Sequence, residues 1–144
     1  MSVKDSSMLF GRDLHRSRQF LSLAAAVCFG SLALYGVASI DAVPFLWQLM
    51  YVPVLIAVGG AVVNAYLNDG LLVSALSTTG IALAVALAHV ITTVITQGLS
   101  AILSPFTEFP GGGFYLTLTV VLFGVGVGAF VIGAGTRRII TSLG

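Results

Sequence analysis

The sequence predicts an all-α, polytopic membrane protein, a bundle of four transmembrane helices, on three observations. Of its 144 residues 58% are hydrophobic and only 8% are charged, with a mean hydropathy of +1.08, whereas a soluble domain carries about 25% charged residues. Stretches free of Asp, Glu, Lys and Arg and long enough to cross a bilayer occur four times. Every lysine and arginine lies before the first of them or after the last. So few charges cannot clothe a water-facing surface, which leaves lipid as the solvent over most of the chain.

Residues 1–19 form a polar N-terminal segment with a weak helical stripe, Phe10 and Leu14 on one face and Arg12 and Arg16 on another. Two readings fit it: a short interfacial helix that offers its arginines to anionic headgroups, or a solvated tail. Gly11 and the serines weaken the helix and favour the tail. The first span covers 20–40, and at 1.5 Å per residue reaches roughly 30 Å, the thickness of the hydrocarbon core. A second covers 44–67, a third 71–97 and a fourth 114–135, all within one transmembrane domain over 20–138, and 139–144 is a short tail. Turn chemistry separates them: Asp41 to Pro44, Asn68-Asp69-Gly70, and the glycine-rich segment 98–113. A break near Gly98 leaves 99–104 as a short interfacial segment ended by Pro105, and Pro53 predicts a bend in the second span.

Basic residues in the flanks set the orientation. Lys4, Arg12, Arg16 and Arg18 precede the first span, and Arg137 and Arg138 follow the fourth. An even number of spans puts both groups on one side, and the positive-inside rule makes that side the cytoplasm. The expectation is a multi-pass protein of the cell membrane with both termini cytoplasmic and with Arg12, Arg16, Arg18, Arg137 and Arg138 at the lipid headgroups. Aromatic residues agree, with Phe45, Trp47 and Tyr51 near one outer boundary and Phe106, Phe109, Phe114 and Tyr115 near the other. The first span is longer than the apolar part of a secretory signal and lacks a small-x-small cleavage site, so it reads as a retained helix.

Apolar helices gain no hydrophobic energy by leaving lipid for one another, and association rests on close backbone approach and interhelical hydrogen bonds. Small residues at four-residue spacing mark the candidate faces: Ser22, Ala26 and Gly30; Ala57, Ala61 and Ala65; Gly80, Ala84 and Ala88; and Gly124 with Gly128, followed by Gly133. The glycines of the fourth span lie on more than one face. One face suits the bundle and another a second subunit.

His89 is the one side chain inside a span that titrates near neutrality. With Thr93 and Gln97 at successive four-residue steps it forms a polar stripe on the third helix, and Asn64 adds a polar group on the second. The functional reading is a path for a proton or solute, since an ionisable group at membrane depth needs a partner or water. The packing reading gives His89 a hydrogen bond to a neighbouring helix and each threonine the carbonyl one turn back. A relay wants a second titrating group, and the spans contain no Asp, Glu, Lys or Arg, which favours packing. Asn68 and Asp69 read as a turn, with Asp69 in place to cap the third helix.

Two histidines, one cysteine and five scattered acids assemble no nucleophile with a base, no metal set and no carboxylate pair. The expectation is therefore not an enzyme, with no cofactor and no metal, and a net charge of +1 argues against nucleic acid. In hydropathy and composition the whole chain resembles the small uncharacterised four-span proteins frequent in archaeal, especially halophilic, genomes. That resemblance carries no motif and assigns no site. The expected role is a structural or assembly subunit, a homo-oligomer or one bound to a larger membrane partner and to membrane lipid. The alternative is a small transporter or channel with its path along the third helix.

Overall fold

The structure, a computed structural model, describes residues 11–38, 49, 51–108 and 111–143. Among these it is helical without strands: α1 Leu14–Ala38, α2 Tyr51–Asn68, α3 Leu71–Gln97, a single 3-10 turn Leu99–Ala101, the short α4 Ser104–Thr107 and α5 Gly111–Leu143. Helices α1, α2, α3 and α5 are each long and apolar enough to cross a membrane, and the chain is an integral membrane protein of four helices. Lys4, Phe10, Asp41, Phe45, Trp47 and Phe109 lie outside the described residues.

Each helix starts or stops for a local reason. Asp13 is the N-cap of α1, its Oδ1 accepting from the N–H of His15 at 2.8 Å and of Arg16 at 3.4 Å, so the helix begins before the apolar run does. α3 ends where Gly98 takes φ 90° and donates its N–H to the Val94 carbonyl, a conformation glycine adopts without a Cβ penalty. Two proline expectations need correction. Pro53 stands in the first turn of α2, where a helix has no intrahelical acceptor for the N–H that proline lacks, so it produces no mid-span bend. Pro105 opens α4 at its first turn instead of ending the segment before it. α5 continues through Arg137 and Arg138 to Leu143, and its 33 residues make about 50 Å at 1.5 Å per residue, well beyond a hydrocarbon core. The tail expected after the fourth span is helix as far as Leu143.

α3 is the centre of the bundle and packs against α1, α2 and α5, while α2 also meets α5 and, more lightly, α1. Small side chains explain this position: Ser74, Ala75, Ser77, Thr78, Ala82, Ala84 and Ala88 are all buried on α3, and together they cover enough of its circumference to admit three neighbours. α1 is peripheral and buries only Ser17, Val27, Ser31 and Ala38. α1 and α5 both pack on the α2/α3 pair.

Close approach depends on two glycines of α5. A Cβ on Gly126 would press on the Thr78 hydroxyl and stand 2.8 Å from the Ala75 Cα and 2.9 Å from the Ser74 carbonyl. Gly126 is the residue one turn after Leu122, and the space it leaves lets Thr78 Oγ1 donate to the Leu122 carbonyl at 2.7 Å. Gly133 does the same against α2, where a Cβ would press on the Val62 carbonyl and stand 2.7 Å from Ala65 Cβ.

Candidate functional site

Polar groups gather at the two ends of the bundle. At one end the turn between α2 and α3 receives both flanks of the transmembrane domain. Asn68 is fully buried: its Oδ1 accepts from the Asp13 N–H at 2.7 Å, its Nδ2 donates to Ser17 Oγ at 2.8 Å, and its carbonyl accepts from the Arg12 N–H at 2.8 Å. Gly11, at φ 95°, lies so close that a Cβ would meet the Asn68 side chain. Residues 11–13 are therefore strapped to the turn and are not a solvated tail. Asp69 takes φ 53°, a left-handed turn conformation that aspartate tolerates. It does not cap α3, whose N-cap is Gly70 with no side-chain bond. Its Oδ2 instead holds Arg12 at 2.6 Å and Arg137 at 3.2 Å, which brings residues from the start of the first span and the end of the fourth to one carboxylate. Arg16, Arg18 and Arg138 are exposed at the same end.

One turn deeper, Asn64 donates to the Gly70 carbonyl and to Ser74 Oγ, both at 2.9 Å, which ties α2 to α3. Its Oδ1 is the one buried side-chain oxygen or nitrogen without a partner among the described residues.

At the other end His89 Nδ1 and the Tyr115 hydroxyl are 2.5 Å apart, joining α3 to α5. The Tyr115 ring is edge-on to Phe114 and to Phe106, with centroids 5.5 and 5.6 Å away. Below this pair a crevice of about 310 Å³ opens among all four long helices, walled by Tyr35, Tyr51, Val85, Phe114, Leu118 and Leu122.

The structure does not gather the residues of the candidate polar path. Thr93 is buried and Gln97 exposed on the same helix as His89, and Thr92 and Thr96 hydroxyls donate to carbonyls three or four residues back in α3. Asn64 is at the opposite end: its partner Ser74 and His89 are fifteen residues apart on α3, about 22 Å at 1.5 Å per residue. Between them lies an apolar layer of Val27, Ala57, Ile81, Ala82 and Leu122.

Of the candidate packing residues, Ala84, Ala88 and Gly133 are buried, and Gly80 faces Cys28 of α1, 3.7 Å from where its Cβ would be. Gly124 and Gly128 point out of the bundle, with nothing within 4 Å of a Cβ at either. Sequence reasoning missed three residues. Gly126 was one glycine among many, Tyr115 was placed in an aromatic belt, and Asn68 was a turn former. Each acts through a partner distant in sequence, Thr78, His89 and Ser17 respectively, and no local pattern announces such a pair.

Comparison with known proteins adds no relative: no family model, no curated protein and no solved structure matches the chain.

Proposed function

We propose that this integral membrane protein is a non-enzymatic structural or assembly subunit that associates through the outward face of α5, with a second copy of itself or with a larger membrane partner. The observation that carries the proposal is the division of the α5 glycines. Gly126 and Gly133 are used by the bundle, whereas Gly124 and Gly128, one turn apart, meet open space. Glycine inside a helix costs about 1 kcal/mol relative to alanine, and inside the chain nothing offsets that cost at these two positions. A neighbouring helix offsets it, because a glycine pair at four-residue spacing lets two backbones approach closely in lipid.

The arginines around Asp69 set the orientation of the proposal. Arg12, Arg16, Arg18, Arg137 and Arg138 against Asp13 and Asp69 leave an excess of three positive charges at that end, while Glu108 lies at the other. The positive-inside rule then puts both termini in the cytoplasm of a cell-membrane protein, with these arginines at the headgroups.

The test is self-association in lipid. Energy transfer between labelled copies in liposomes, diluted with unlabelled lipid, reports it directly. Association should fall at least about tenfold in Gly124→Leu and Gly128→Leu, a loss of roughly 1.4 kcal/mol or more, with helix content unchanged. Wild-type protein that is monomeric in lipid and isolates without a membrane partner would refute the proposal, as would association indifferent to both substitutions. The transporter alternative has the apolar layer between Asn64 and His89 against it. Flux in proteoliposomes that fell on His89→Ala without loss of folding would favour it instead.

A further inference from the structure

The His89–Tyr115 pair leaves a donor over. The imidazole carries at least one N–H and the phenol one O–H, and the 2.5 Å contact between Nδ1 and the hydroxyl uses only one of them. Either the phenol donates to Nδ1 and Nε2–H remains, or Nδ1–H donates to the phenol oxygen and the O–H remains. Neither side chain has another hydrogen-bond partner among the described residues. That remaining donor is available to an acceptor brought up to the pair.

The crevice lies where that acceptor would be carried. Val85 on its α3 wall is one turn before His89, and Leu118 on its α5 wall is one turn after Tyr115, so both polar groups sit one turn beyond the apolar walls. Three of the walls are aromatic, Tyr35, Tyr51 and Phe114, and the others are aliphatic, Leu122 among them. Its volume of about 310 Å³ falls at the small end of ligand pockets, about 300 to 1,000 Å³, which are mostly apolar with a few placed polar groups. Aromatic walls suit a flat conjugated ring through offset or edge contacts, and the spare donor suits a carbonyl on that ring.

We propose that the crevice between the four helices binds a flat, carbonyl-bearing ring compound dissolved in the bilayer, of the quinone class, with the ring among Tyr35, Tyr51 and Phe114 and the carbonyl accepting from the His89–Tyr115 pair. The proposal concerns binding alone and is independent of the association through α5.

The test uses the protein in lipid nanodiscs and two probes of the same shape: 2,3-dimethyl-1,4-naphthoquinone, which has the carbonyls and no free ring position for Cys28 to attack, and 2,3-dimethylnaphthalene, which lacks them. Saturable binding is read by saturation-transfer NMR against empty nanodiscs. Wild-type protein should bind the quinone about fivefold more tightly than the hydrocarbon, the discrimination expected of one hydrogen bond. The double variant His89→Leu with Tyr115→Phe, which removes the donors of the pair and keeps the Tyr35 and Tyr51 hydroxyls on the walls, should bring the two probes within about twofold, and Leu118→Trp, which fills the crevice, should abolish binding of both. No saturable binding by wild type, equal affinity for the two probes, or a preference that survives in a folded double variant would each overturn the proposal. The wild-type contrast needs no substitution and stands even if a variant fails to fold.

Discussion

Adding one methyl group to Gly126 should unlock the α3–α5 contact, while the same methyl two residues on should leave it intact. In Gly126→Ala the new Cβ would stand 2.8 Å from the Ala75 Cα and 2.9 Å from the Ser74 carbonyl, and both are backbone atoms of α3 that cannot rotate away. Ordinary contact distances for a carbon are near 3.5 Å or more, so the helices must separate by roughly half an ångström. The same methyl displaces Thr78 from the Leu122 carbonyl, ending the 2.7 Å interhelical bond. Overpacking of this kind costs about 1 to 3 kcal/mol, and an interhelical hydrogen bond in a membrane adds about 0.6. A gain of up to about 1 kcal/mol in helix propensity works the other way. Gly128→Ala collects that propensity gain with nothing within 4 Å of its Cβ. Reversible unfolding in mixed micelles, followed by circular dichroism, should therefore separate the two variants by about 2 to 3 kcal/mol, with Gly128→Ala at or above wild type. Equal stability of the pair would refute the packing assigned to α5.

The turn at the arginine end gives two more expectations. Asn68→Ala leaves the Asp13 N–H without its side-chain acceptor and removes the bond to Ser17 Oγ; it should cost about 1 to 3 kcal/mol, read in the same unfolding assay, with proteolysis just before α1 becoming faster. Asp69→Asn keeps a residue that tolerates the left-handed turn and removes only the charge. Because Arg12 is 61% exposed and Arg137 25%, the loss should stay within about 1 kcal/mol, and the difference from wild type should shrink further in high salt; a larger or salt-independent loss would count against a partly solvated ion pair.

Much of the architecture was legible in the chain because it depends on local properties. Apolar runs at 20–40, 71–97 and 114–135 announce helices of membrane length, and the glycine at 98 marks where the third must stop. What was hidden lies in helix rotation and in contacts remote in sequence. All small-residue lines look alike on paper, yet Ala57, Ala61 and Ala65 are buried in the bundle while Ala26 and Gly30 stay exposed along an open groove beside Pro53 and Ile56. Apolar and small residues surround these helices on several sides, so no single amphipathic stripe says which face turns in. The cap at Asp13 was not expected, because the residues before 20 read as a polar segment outside the span, although an aspartate ahead of a helix satisfies its first N–H groups. Nor was the strap of Gly11 onto Asn68, because its two parts lie more than fifty residues apart.

By itself the sequence determined the class of the protein: helices because a bilayer requires every backbone group to be bonded within its own segment, and four of them because four charge-free runs are long enough to cross. Only the tertiary structure decided which of the α5 glycines hold the bundle together, that Asp69 binds Arg12 and Arg137 instead of capping a helix, and that His89 pairs with Tyr115 beside a crevice far from Asn64. Crossing a membrane is a property of one segment and its solvent, whereas a contact between segments depends on rotation, depth and crossing angle, which no single segment encodes.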